Sequence, residues 1–234
     1  MAEMTPYERT MARLRGQPVD RVPNQNILMA YAARYIGATY SQLAQDHRVL
    51  VESNLRACAD LHIDLVSAIS DPWREASAFG AEITFPEDSV PACRDRLLAS
   101  SADWTTLQPW DPWAHPRTRD RLQAIDLYRQ RVAGHYPICG WVEGAAAEAA
   151  DLRGVSAFLE DLALEPEAAH SLMAVCCEAG TRFALAQVEA GAGIIGIGDA
   201  VASLMNPRMY RAFAWPYERK MIDAIHQAGA LVKL

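Results

Sequence analysis

The chain has 234 residues, 51% hydrophobic and 22% charged, which is enough apolar content to fill one large domain or two small ones. Its 22 basic and 29 acidic residues leave a net charge of −7, which excludes the basic surface a nucleic-acid binder needs. No apolar run approaches the roughly 20 residues of a membrane helix, and the charged opening MAEMTPYERT lacks an apolar signal core, so a cytoplasmic protein is expected. Five cysteines, at positions 58, 93, 139, 176 and 177, form no C-x-x-C and suit reduced thiols better than a disulfide framework.

In chain order, TPYE at 5–8 reads as a capping box, with Thr5 as cap, Pro6 at the first helical position and Glu8 reaching back. It predicts a helix to about Arg15, stopped by Gly16. The segment 22–28 turns extended after Pro23. Helical spacing returns over 41–62, and 63–70 (IDLVSAIS) is an apolar run of strand length. A short helix is expected from Asp71 and Pro72 to Gly80. Residues 81–93 read as a surface hairpin or excursion. Residues 101–117 hold three Trp and three Pro and read as an ordered loop packed by aromatics. An amphipathic helix follows over 118–134, then a strand and turn at 136–144, helices near 154–163 and 165–190, and a strand at 193–198. A helix in two pieces around Pro216 spans 206–229, and the chain ends on the apolar run ALVKL at 230–234.

From residue 60 onward strand and helix alternate, the pattern of a parallel sheet with helical crossovers. Five core strands are expected, at 22–28, 63–69, 136–142, 193–198 and 230–234. A closed (β/α)8 barrel needs eight strands; an open doubly wound sheet can stop at five. The glycine-rich GAGIIGIG runs from helix into strand, the reverse of a phosphate cradle.

In either architecture ligands gather at the carboxyl ends of the strands. Three strands each deliver an acid there: Asp71 after 63–70, Glu143 after 136–142, and Asp199 after 193–198. Asp71 in SDP also suits a plain helix cap. Together the three suggest an anionic rim able to orient N–H donors or tune the pKa of a bound group. The six histidines (His47, His62, His115, His135, His170, His226) are scattered and form no H-E-x-x-H, and no G-x-S-x-G is present.

The stretches ERTMARLRGQPVDRVP (8–23), DPWREASAFGAEITFPEDSVP (71–91), GWVEGAAAEAADLRG (140–154) and the block 186–230 together resemble the uroporphyrinogen decarboxylase superfamily. That superfamily includes cobalamin-dependent methyltransferases acting on thiols. The resemblance covers essentially the whole chain in order. It implies a (β/α)8 barrel of which this chain holds about five strands, as a single domain over 1–234, with the helix 5–15 and the excursion 81–117 as additions.

Porphyrinogen decarboxylases carry R-Q-A-G-R-Y near the N-terminus. Here AYAARYIG (30–37) keeps Arg34 for the second arginine and has Ala30 for the first, while Asp71 matches the pyrrole-binding Asp. Asp151 aligns with a functional Tyr of that branch. GWVEG..AEAADLRG is more similar to the methyltransferase branch. That branch implies zinc held by H-x-C and a later Cys, a methyl-cobalamin donor on a corrinoid partner protein, and a small acceptor as substrate. The H-x-C is expected just after the strand ALVKL, hence just after Leu234, with no metal ligand in this chain. Trp141 and Ser203 join Arg34 as expected substrate-binding residues. The alternatives are a cofactor-free decarboxylase of a porphyrinogen-like substrate, and a non-catalytic barrel fragment binding a tetrapyrrole or a partner. The oligomeric state is left open.

Overall fold

The computed structural model describes residues 3–98, 104, 107–132 and 134–234. The chain opens on helix α1 (Pro6–Leu14), whose Thr5 and Glu8 make the reciprocal capping box. Helices α2 (Met29–Tyr35), α3 (Tyr40–Gln45) and α4 (His47–Asp60) lead to strand β1 (Val66–Ser67). Helix α5 (Arg74–Phe79) precedes an antiparallel hairpin, β2 (Ile83–Thr84) and β3 (Ala92–Cys93). Then come α6 (Pro116–Val132), β4 (Ile138–Glu143), α7 (Ala145–Arg153), α8 (Val155–Leu164) and α9 (Pro166–Ala190). Strand β5 (Ile194–Gly198), a 3-10 turn (Ala200–Leu204), α10 (Pro207–Ala212), α11 (Ala214–Gln227) and β6 (Leu231–Lys233) complete the order.

Strands β1, β4, β5 and β6 pair side by side in that order, all parallel. This is an α/β fold built as part of a (β/α)8 barrel, with the sheet open at β1 and β6. The expected strand at 22–28 forms no ladder. Pro23 has no N–H to donate, and the Asn24 N–H goes 2.7 Å to the Asp64 side chain, leaving only Asp64 N–H to Asn24 O at 2.7 Å as a strand-like bond. The region 206–229 does split in two, but the break falls at Phe213. Pro216 lies in the first turn of α11, where its missing N–H costs no helical bond. Helices α2 and α7 add to the elements expected from the sequence.

One face of the sheet packs Val66, Val142, Ile195 and Ile197 under the helices in the main core. Fully buried Phe158, Phe183 and Leu172 belong to that core, each worth about 1.5–3 kcal/mol by burial. The opposite, concave face carries the smaller cluster of Leu65, Cys139 and Ile194, with Trp141 packed against it. In the expected aromatic loop, Trp104 is buried and Trp110 lies edge-on to Phe79 and Phe183, while Trp113 is exposed. Residues 101–103, 105 and 106 of that loop lie outside the described ones.

The opening stretch ERTMARLRGQPVDRVP closes the amino-terminal end of the sheet with charge. Arg9 reaches Asp20 at 2.6 Å and Asp64 at 2.5 Å, and Arg21 grips both oxygens of Asp64 at 2.6 and 2.8 Å. Asp64 is fully buried, and such an acid needs these partners. Two arginines thereby pin α1 and the extended segment to the start of β1.

Candidate active site at the strand carboxyl ends

Beyond β1 the chain turns through Ser70 and Asp71. The Asp71 carboxylate is enclosed: Ser70 Oγ donates at 2.7 Å, the Trp73 amide at 3.1 Å, and Arg117 Nη2 from the first turn of α6 at 2.5 Å. Burial pushes its pKa up, but the charges of Arg117 and Arg74 outweigh this and hold it below the usual carboxylate value. Asp71 is therefore both the cap of its turn and one half of a buried ion pair.

Strand β1 pairs with only the first residues of β4, so the remaining β1-side edge of β4 would be left without hydrogen bonds. Two side chains complete it. Gln187 of α9 accepts from the Trp141 N–H at 2.8 Å and donates to the Trp141 carbonyl at 3.1 Å. Glu75 of α5 accepts from the Glu143 N–H at 3.0 Å. The strand thus reaches Glu143 with its backbone satisfied and its last side chain at the rim.

Around Glu143 lies a buried charge cluster. The Arg74 guanidinium, fully buried, is 3.3 Å from Glu143 Oε1 and 3.3 Å from Glu75 Oε2. Glu148, one turn into α7, is also buried and interacts electrostatically with Glu75, Asp151, Glu143 and Arg74. Asp151 follows at i+3 on the same face of α7, with Arg96 at 3.9 Å. Burial is the first cause that drives Glu143 and Glu148 well above the ordinary carboxyl value, with Arg74 partly opposing it. Asp151 is pushed up to about 7, again first by burial, with Arg96 opposing.

Asp199, at the end of β5, turns back onto α7. Its Oδ1 accepts the Ala147 N–H at 2.7 Å, capping a helix whose own cap position is a glycine. Gly144 is needed there, because a Cβ on it would lie 2.4 Å from Asp199 Cγ. Asp199 Oδ2 is buried without a partner, and burial pushes the group's pKa up to about 7.

On the concave face, the Trp141 indole lies flat on Gly196 of β5, where a Cβ would sit 2.2 Å from the ring. Gly198 gives the same clearance to Trp141 Nε1 and to Glu143 Oε2, 3.1 and 3.2 Å from its would-be Cβ. The Gly-Ile-Gly of β5 is thus the seat of an aromatic and an acid from β4. Ser203 is exposed and bonds its own turn through the Ala200 carbonyl at 2.7 Å. Arg34 is exposed on α2, outside the charge cluster.

The three expected acids therefore hold different environments rather than forming a uniform anionic rim. Asp71 is ion-paired, Glu143 belongs to a buried acid cluster, and Asp199 caps a helix. Sequence reasoning missed Arg74, Glu75, Glu148 and Arg117. The available signal was AAAEAAD, a stretch of α7 whose alanines at 145–150 are all buried, so that Glu148 is buried with them and Asp151 half-buried.

Zinc of the kind implied by the resemblance takes thiolate and imidazole ligands. Among the described residues the one convergent group of three donors is Asp46, His47 and Asp120. Its oxygens are already used: Asp46 takes the Arg48 amide at 2.8 Å, and Asp120 takes the His47 amide at 3.0 Å, His47 Nδ1 at 2.9 Å and Arg121. With no thiolate and its acceptors engaged as helix caps and ion pairs, this group does not fit that zinc site. Among the described residues, no helix is long and apolar enough to cross a membrane.

The uroporphyrinogen decarboxylase (URO-D) family profile matches residues 5–234. Methylcobamide:CoM methyltransferase MtaA of Methanosarcina barkeri is 28% identical over 240 residues, 99% of this chain and 70% of that enzyme. Uroporphyrinogen decarboxylase of Idiomarina loihiensis is 24% identical over 237 residues, 93% of this chain and 64% of that enzyme. A solved methyltransferase from Methanosarcina mazei superposes with a TM-score of 0.87 at 24% identity, over 98% of this chain and 69% of that one.

Proposed function

Since the chain belongs to the uroporphyrinogen decarboxylase family, we propose that it takes part in methyl transfer between a methylcobamide and a small acceptor, at the carboxyl ends of β4 and β5. The single observation that carries this reading over decarboxylation is the state of Asp71. A porphyrinogen decarboxylase would use that acid to receive pyrrole N–H groups, whereas here its side chain is fully buried and held by Arg117, Ser70 and the Trp73 amide. Ala30 in place of the first arginine, and the relation to MtaA, support the same choice.

The donor supplies an electrophilic methyl group. In such a transfer the acceptor heteroatom would bond to the methyl carbon as that carbon's bond to the corrinoid breaks, with the electron pair kept by the corrinoid, and the heteroatom's proton would pass to a base, or return from it in the reverse direction. Glu143 is assigned that proton. Its Oε1 is fixed by Arg74, and its Oε2 lies beside the Trp141 indole over Gly198. Trp141 supplies the apolar platform against which donor or acceptor packs. Asp199 fixes α7, and with it Glu148, behind this platform. Arg34 and Ser203, both exposed, are assigned to binding the substrate or its corrinoid carrier.

The test is the absorbance change of methylcobalamin mixed with the protein and coenzyme M, run beside carbon dioxide release from uroporphyrinogen. Demethylation that falls by about a hundredfold in Glu143→Gln supports the reading, a loss typical of an acid–base group. Decarboxylation without demethylation would overturn it.

A further inference from the structure

The cluster behind Glu143 holds more acid than its cations can offset. Glu75, Glu143 and Glu148 are each at least nine-tenths buried around one fully buried guanidinium, that of Arg74. Both carboxyl oxygens of Glu148, 2% exposed, lack a hydrogen-bond partner, although the side chain lies among Glu75, Glu143 and Asp151. A buried, unpartnered carboxylate is so costly that such a group takes up a proton instead. A cation is the other way to cancel the charge. Among the described residues, however, the oxygens of this cluster do not converge as three donors about one point, as those at Asp46, His47 and Asp120 do.

We propose that Glu148 is a carboxylic acid in the resting protein and stays neutral, which leaves the charge of Arg74 to Glu75 and Glu143. The two acids and Arg74 form one unit that sets the ionisation of Glu143 at the rim. When Glu143 gives up its proton, the anion it becomes faces Arg74, and a neutral Glu148 adds no second, unpaired anion to the core. The charged and titratable groups facing Glu148 fit this role. Arg74 and Glu75 come from α5, Glu143 from β4, Asp151 from its own helix with Arg96 beyond it, and Cys176 from α9. Among the described residues Arg74 is the only cation in contact with the inner acids, and burial opposes ionisation of Cys176. Glu148 is thus a positioning residue, and its catalytic consequence rests on the assignment of Glu143 above.

The direct test is infrared spectroscopy of the protein at neutral pH with carboxyl-13C-glutamate. The proposal expects a protonated-carboxyl C=O band that shifts with the glutamate label and is lost in Glu148→Gln. Glu148→Asp should move the band from the glutamate to the aspartate label, which gives the same readout should the amide variant not fold. No glutamate-labelled band in the wild type, or a band undiminished in Glu148→Gln, would overturn it. Glu148→Gln, an amide as neutral as the acid, should leave the Glu143 limb in the pH profile of methyl transfer where it is; a limb that moves to lower pH in that variant would show that Glu148 carries a negative charge and would overturn the proposal. The spectra need no turnover, so a protein that shows the band but moves no methyl group would refute the proposed reaction and leave the neutral Glu148 standing.

Discussion

Arg117, in the first turn of α6, places Nη2 2.5 Å from Asp71 Oδ2 at the end of β1, with the Asp71 side chain fully buried. The pair joins a helix and a strand separated by the whole hairpin excursion. Arg117→Met strands a buried anion and is expected to cost about 3–5 kcal/mol in urea unfolding. Combining Arg117→Met with Asp71→Asn should cost less than the sum of the two single variants, giving a favourable coupling energy in the cycle. Additive effects would mean that the two groups do not act as a pair.

Asp151 and Asp199 predict how stability depends on pH. Burial raises both from 3.8 to about 7, so the folded state binds more protons than the unfolded state between those values. Their contribution is fully present below 3.8 and is lost as pH rises to about 7. Asp71 works the other way, since its lowered value gives stability that is present above the ordinary carboxylate range and lost on acidification. Asp151→Asn and Asp199→Asn should each flatten the decline between acid and neutral pH in melts across that range. A decline as steep as the wild type's would contradict the assignment.

The seat of Trp141 is tested at Gly196. Alanine there would put a Cβ 2.2 Å from the indole, so the ring must move. The expected cost is about 1–3 kcal/mol, as for other overpacked sites. Near-ultraviolet circular dichroism should report the displaced ring, and methyl transfer should fall with it. Gly193→Ala, where nothing lies within 4 Å, is the control.

Much of this architecture is legible in the sequence, and the exceptions have physical causes. Strands β4, β5 and β6 announce themselves as apolar runs after glycine-terminated helices, and the acids that follow β4 and β5 stand where the strand ends predict. Helix α7 was hidden because its alanines are buried all round, which leaves no amphipathic period to read. The segment 22–28 misleads in the opposite sense: its residues suit a strand, but Asp64 takes the Asn24 N–H that a ladder would use. The ladder partners Glu75 and Gln187 could not be seen because their role comes from β1 stopping short, a fact of tertiary register alone.

Gln187 makes that register testable. Gln187→Leu removes the acceptor of the Trp141 N–H and the donor to its carbonyl, in a place enclosed by α9 and the sheet. Leaving those groups unpaired should cost about 1–3 kcal/mol for each one that finds no water. Hydrogen exchange at the Trp141 amide should quicken while amides in β5 stay protected. Unchanged exchange at Trp141 would show that the strand edge does not depend on this side chain.

The central claim is methyl transfer at the β4–β5 rim, and it is tested most directly by following the methyl group itself. Methylcobalamin carrying a deuterated methyl group is incubated with the protein and coenzyme M, and the thioether product is read by mass spectrometry. Label in the thioether, formed by the wild type and nearly absent with Glu143→Gln, is the predicted result. A thioether yield no higher than in the protein-free control, or one unchanged by Glu143→Gln, would contradict it.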